Sequence, residues 1–264
     1  VSPDATTLRL AVEAIRHALG ERRSVIGLCG AQGSGKSTLA AGLANLFERE
    51  GVPTAILSID DLYLMKAERK RLACEVHPLL RTRGVPGTHD VALGLSVIDD
   101  LAAGRSTRLP RFDKAIDDRA PASQWTTASG GTRLLILEGW CVGARPQSED
   151  ALGEPVNALE RGEDPKGVWR RYANAALAGP YQELFARLDR LILLAAPGFE
   201  IVLRWRIEQE YRLRRERGGG MSDAEVARFI QHYERLTRHI LAEMPGRADL
   251  VIPLAEDRTP IVRG

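Results

Sequence analysis

Apolar positions recur along the chain in two rhythms. Residues 4 to 20 place Leu8, Ala11, Val12, Ile15 and Leu19 at helical spacing and close on Gly20, which predicts an amphipathic helix. The short apolar run SVIGLC (24–29) closes on Gly30 and predicts a buried strand. KSTLAAGLANLFERE (36–50), stopped by Gly51, predicts a helix. TAILSI (54–59), RLLILEGW (133–140), RLILLAA (190–196) and ADLVIPL (248–254) predict four further strands. Helices are expected at 91–103, 168–188, 199–216 and 222–243, and mostly loop at 144–167, where Gly, Pro and acidic residues collect. Apolar strands alternating with helices predict an α/β fold: a five-stranded, mostly parallel sheet with helices on both faces. The expectation is one domain over 1–264, with an irregular insertion at about 62–132 on the side where a substrate would bind.

Composition changes this picture little. The chain has 264 residues, a 44% apolar fraction and a formal net charge of +2, so nothing global points to nucleic acid or a membrane surface. No apolar run is long enough to span a bilayer, and the start shows no signal-peptide pattern. Cys29, Cys74 and Cys141 are odd in number and lack disulfide or metal spacing, so a reducing, cytoplasmic setting is expected. Only five lysines occur, which singles out Lys36 and Lys114.

The strongest chemical signal is GAQGSGKS, residues Gly30, Ala31, Gln32, Gly33, Ser34, Gly35, Lys36 and Ser37, with Thr38 following. It fits G-x-x-x-x-G-K-[ST], with a strand entering and a helix leaving. Glycines let successive N–H groups converge on phosphate oxygens, and the helix N-terminus adds positive charge. Lys36 can reach the β- and γ-phosphates, and the Ser37 hydroxyl can hold Mg²⁺. This predicts a P-loop NTPase fold. Glu138, at the end of the strand LLILE, is the expected second Mg²⁺ group, directly or through water. No N-K-x-D stretch reads guanine, so ATP is the expected nucleotide.

Asp60 and Asp61 stand at the end of the second strand, and ligands of open α/β sheets bind outside that edge. A carboxylate there can take the proton of an attacking hydroxyl during phosphoryl transfer; Asp60 is the choice for that base, with Asp61 free to orient or cap.

The elements SIDDLYL, RGVPGTHD, LPRFDK, LEGW and GGMSDAEV occur in that order. Together they resemble the ATP-dependent glycerate kinases of the plant and fungal type, which make 3-phosphoglycerate. That group lies within the broader phosphoribulokinase, uridine kinase and pantothenate kinase superfamily. The resemblance runs from about residue 25 to 254. It implies Asp60 as base, although Leu62 stands where the family usually has Phe. It implies that Asp90 holds a substrate hydroxyl, with His89 beside it. It brings Tyr63, Arg83, Arg111, Asp113, Lys114 and Arg119 toward an acidic, hydroxylated small-molecule substrate, D-glycerate, and Asn174 near the substrate lobe. A planar Arg fork suits such a carboxylate. It further implies a helical lid at about 199–222 whose Arg206 and Arg214 close over the phosphates, with Gly218 to Gly220 as its flexible end. Two other readings stay open: a kinase of the same superfamily acting on pantothenate, a nucleoside or another sugar acid, and a non-catalytic, regulatory ATP-binding protein.

Overall fold

The computed structural model describes residues 2–20, 23–217 and 220–261. Its first helix, α1 (Ala5–Leu19), is capped by Asp4, whose carboxylate accepts the Thr7 N–H at 2.9 Å. Then come β1 (Ser24–Gly30), α2 (Lys36–Arg49) and β2 (Thr54–Ser58). The insertion contributes α3 (Lys66–Glu75), α4 (Val91–Ala102) and four short strands: β3 (Thr107–Leu109), β4 (Phe112–Asp113), β5 (Asp118–Arg119) and β6 (Thr126–Ala128). The second half runs β7 (Leu134–Gly139), α5 (Ala158–Glu163), α6 (Val168–Ala178), α7 (Pro180–Phe185), β8 (Arg190–Ala195), α8 (Phe199–Arg217), α9 (Asp223–Glu243) and β9 (Leu250–Pro253).

Five strands form one sheet in the order β2-β7-β1-β8-β9, and every pairing is parallel. All six residues of β7 are buried, as a strand covered on both faces requires. The register sets Glu138 of β7 beside Leu28 of β1 and Ser58 of β2. The C-terminal ends of these strands therefore finish at one edge, and the loops that leave them carry the polar chemistry.

One reading of the sequence is refined and two are corrected. The segment 144–167 is mostly loop, as expected, with one short helix, α5, within it. Asn157 caps α5, accepting the Glu160 N–H at 3.0 Å. Glu160 is then held by Arg235 of α9 through two bonds of 2.8 and 2.7 Å. The helix expected over 168–188 is two helices, broken at Gly179–Pro180, where proline starts α7. The insertion also holds α3, which has almost no apolar face. What organises it is Arg69, only 1% exposed. Its guanidinium donates to the carbonyls of Leu64, Arg81 and Asp117 and pairs with the Asp117 carboxylate at 3.0 Å. Replacing water around a buried guanidinium takes this many partners.

α8 and α9 pack against each other. Ser222 and Glu225 start α9 with a reciprocal capping box, and the Ser222 N–H donates to Glu225 at 2.7 Å. Gly218, Gly219 and the side chains of Arg212 and Arg217 lie outside the described residues.

Candidate active site

Gly30 to Ser37 turns from β1 into α2. Gly33 and Gly35 take φ of 78° and 88°, the left-handed region that glycine enters without strain. Gly33 is also pressed against α8: a Cβ there would come within 2.6 Å of Trp205 Cβ. The loop is held from outside by Arg258, which donates to the Gly33 carbonyl at 2.7 Å and lies over the Trp205 ring. Trp205 in turn donates to the Glu256 carbonyl at 2.7 Å. A cleft of about 640 Å³ opens over this loop. Lys36, Ser37, Thr38, Asp60, Lys114 and Arg206 line it, as do Asp257 to Thr259 and the start of α1.

Ser37 Oγ and Glu138 Oε1 are 3.1 Å apart. Glu138 is buried, and its Oε2 has no hydrogen-bond partner. A buried carboxylate oxygen left in this state suits a hard cation. Among the described residues no three acidic, His or Cys side chains cluster as a metal cage. The Ser37–Glu138 pair, with its unpartnered oxygen, fits Mg²⁺, which takes one or two protein oxygens and completes its shell with phosphate and water.

Asp60 and Asp61, adjacent in sequence, have different surroundings. Asp61 accepts the Phe112 N–H at 2.9 Å and pairs with Arg111 at 3.1 Å, so it anchors the β4–β5 hairpin. Burial raises its carboxyl, against the pull of those two donors. Asp60 faces the cleft. Lys114 Nζ donates to its Oδ2 at 2.6 Å and the Tyr63 hydroxyl to its Oδ1 at 2.9 Å. Burial favours the neutral acid, but Lys114 and Lys36 outweigh it, and Asp60 stays well below the usual carboxylate range.

Behind Asp60 lies the loop 83–90. Leu62 to Leu64 bridges it in antiparallel fashion: the Asp90 N–H donates to the Leu62 carbonyl and the Leu64 N–H to the Thr88 carbonyl. Tyr63 stacks on His89, with centroids 4.5 Å apart. His89 is buried; its Nδ1 meets the Tyr181 hydroxyl at 2.6 Å, while Nε2 has no partner. Desolvation lowers its pKa to about 4, so the ring is neutral at pH 7. Asp90 caps α4 through Oδ1 and pairs with Arg119 at 3.0 Å through Oδ2. Arg119 also donates to the Tyr63 carbonyl at 3.2 Å.

Asp60, Tyr63, His89, Asp90, Arg119 and Lys114 are thus one connected group. Others among the expected residues are engaged elsewhere. Arg111 pairs with Asp61, and Asp113 accepts the Ala115 N–H in the hairpin turn. Arg83 pairs with Asp117 and lies over the Phe112 ring. Arg206 lines the cleft, held by Glu210 and Gln209. Arg214 pairs with Asp223 at 2.5 Å and does not line the cleft. Asn174 spends its amide on the Gln147 backbone in two bonds of 2.7 and 3.0 Å.

Sequence reasoning missed Trp205, Arg258, Tyr181 and Tyr233. Tyr233 donates to the Arg83 carbonyl at 3.3 Å, and Trp140 donates to the Gly84 carbonyl at 3.1 Å. Trp205, Arg258, Tyr181 and Tyr233 stand in none of the quoted motifs; only their position in the fold brings them to the site.

Residues 25–144 match the phosphoribulokinase/uridine kinase family. The chain is 35% identical over 257 residues to an uncharacterized kinase of Schizosaccharomyces pombe, mug58, over 91% of each chain. It is 30% identical over 257 residues to the chloroplastic D-glycerate 3-kinase of Arabidopsis thaliana, covering 90% of this chain and 54% of that one. In fold it is similar to a D-glycerate 3-kinase from Cryptococcus neoformans, with a TM-score of 0.83 at 22% identity, covering 98% of this chain and 99% of that one.

Proposed function

Because the chain belongs to the phosphoribulokinase/uridine kinase family of P-loop kinases, we propose that it transfers the γ-phosphoryl group of ATP to a hydroxyl of D-glycerate, giving 3-phosphoglycerate and ADP. The observation that carries the reading is Asp60: an ionised carboxylate facing the phosphate cleft between Lys36 and Lys114. A group in that position orients an acceptor hydroxyl and takes its proton as transfer proceeds. The similarity to a D-glycerate 3-kinase supports the acceptor, as do Lys114 and Arg119 around the Asp60–Asp90 region, which suit an acid.

In this reading the amides of Gly30 to Ser37 and Lys36 bind the phosphates. Ser37 and Glu138 hold Mg²⁺, which when bound neutralises phosphate charge. His89, Asp90 and Arg119 grip the acceptor, and the segment 199–222, most of it α8, acts as a lid that holds Arg206 over the phosphates and keeps water out.

The test is an acceptor panel. Purified protein with ATP and Mg²⁺ is offered D-glycerate, L-glycerate, pantothenate, uridine and gluconate, with ADP release followed and the product position read by phosphorus NMR. The expected result is ADP release and a single 3-phosphate ester with D-glycerate. Release with a different acceptor, or equally without one, overturns the substrate assignment.

A further inference from the structure

The two oxygens of Asp60 are in unlike hands. Oδ1 is held by Tyr63, a residue 2% exposed and fixed on four sides. Its ring stacks on His89, its edge meets Phe112, its carbonyl accepts Arg119, and its backbone bridges His89. Oδ2 is held by Lys114, whose side chain is 59% exposed. Lys114 sits at the tip of the β4–β5 hairpin, while Asp61 ties down the hairpin's base through Phe112. One partner is rigid and the other is free to swing.

We propose that Tyr63 is the positioning residue of the base, and that Oδ2, covered by Lys114 until an acceptor arrives, is the oxygen that takes the acceptor's proton. This rests on the kinase reading above. The acceptor hydroxyl enters where the Lys114 ammonium sits. Its oxygen bonds to the γ-phosphorus as the bond from that phosphorus to the bridging oxygen breaks. ADP leaves with that bond's electron pair, and the hydroxyl proton ends on Oδ2. The displaced ammonium stays beside the acceptor, where an acidic substrate offers it a carboxylate. Without an acceptor, Lys114 keeps Oδ2 from activating water, so the charged nucleotide is spared.

Tyr63 also sets the span between Oδ2 and the acceptor grip, since it contacts Asp60 directly and His89 and Asp90 through its ring, backbone and Arg119. A fixed span selects one hydroxyl of an acid that carries two. Tyr63 is therefore assigned the choice of hydroxyl, which no sequence motif records.

Two variants test this. In Lys114→Met, acceptor-independent ADP release at saturating ATP rises by about fivefold, the worth of a partly exposed ion pair. Adding Asp60→Asn removes the rise. In Tyr63→Phe, which keeps the ring, acceptor-dependent kcat falls by roughly tenfold or more, the loss of one hydrogen bond to a charged group. KM for ATP holds, and NMR finds phosphate on both hydroxyls of the acceptor. Hydrolysis at the wild-type level in Lys114→Met overturns the proposal, as does a Tyr63→Phe enzyme with wild-type kcat and one product. If the wild-type protein uses no acid acceptor, the substrate reading fails by itself. The Lys114→Met comparison, with water as acceptor, still decides the assignment of Oδ2.

Discussion

Ser37 Oγ lies 3.1 Å from Glu138 Oε1, joining the start of α2 to the end of β7, while Glu138 Oε2 stays buried and unpartnered. An unsatisfied buried oxygen of this kind costs stability until a cation meets it. Glu138→Gln is therefore expected to keep or slightly raise the melting temperature without Mg²⁺. The same variant loses the Mg²⁺-dependent gain in melting temperature with ATP, and the Mg²⁺ needed for half-maximal ADP release rises roughly tenfold or more. Thermal melts across a Mg²⁺ series read both effects. A variant that destabilises the free protein and leaves the Mg²⁺ requirement unchanged would mark Glu138 as a structural acid.

Asp60→Asn keeps the shape of the side chain and removes the proton acceptor. Loss of general-base function alone predicts a fall in kcat of about 10²- to 10⁴-fold. ATP affinity, measured by fluorescence or calorimetry, should hold, because Lys36 and the loop amides are untouched. Loss of ATP binding instead would assign Asp60 to the metal or to the loop.

Arg206 pairs with Glu210, which is 3% exposed, so removing the charge outright would strand a buried carboxylate. Arg206→Lys keeps the charge and loses the planar fork. If Arg206 meets the transferring phosphoryl group, kcat falls by roughly 10²-fold, the scale of losing one aligned donor. Little change in urea stability is expected. An unchanged kcat would confine Arg206 to packing over Phe229, where its guanidinium lies 5.7 Å from the ring centroid.

The sheet, the phosphate loop and the two strand-end acids were legible because each rests on local pattern: apolar runs, fixed glycine spacing, an acid where a buried strand stops. Asp60 is the preferred base on sequence grounds, yet nothing local explains the split between it and Asp61. It arises because Phe112 and Arg111, some fifty residues on, claim Asp61. α3 was invisible because KAERKRLACE carries no apolar stripe and is organised by one buried arginine. Tyr233 reaches the Arg83 carbonyl from 150 residues away, a contact that no periodicity encodes.

Desolvation holds His89 and His232 neutral down to about pH 4. In the unfolded chain a histidine takes up its proton near pH 6.5, so between those values the unfolded chain binds more protons. Stability therefore rises with pH through that window and is fully present above it. By pH 4 each ring accounts for a loss of roughly 3 kcal/mol. Urea unfolding at pH 4.5, 5.5, 6.5 and 7.5 should show the decline. His232→Gln, distant in sequence from the phosphate loop, should flatten it by about half. An equally steep curve in the variant would put the decline down to carboxylates.

Gly84 has φ of 144°, and a Cβ there would overlap the Tyr233 hydroxyl. Its N–H donates to Thr88 Oγ1 at 3.1 Å and its carbonyl accepts Trp140 Nε1 at 3.1 Å, so the backbone cannot rotate without giving up both bonds. Gly84→Ala must either strain this conformation, at about 1–3 kcal/mol, or shift the loop that carries His89 and Asp90. The phosphate loop shares none of these contacts. Acceptor KM is therefore expected to rise, or kcat to fall, by roughly tenfold to a hundredfold, since displacements near 1 Å act on this scale. ATP affinity should stay at the wild-type value. Steady-state kinetics with each substrate varied in turn separates the two. Equal loss of ATP and acceptor binding would mean that the substitution unfolds the site as a whole rather than moving the acceptor loop within it.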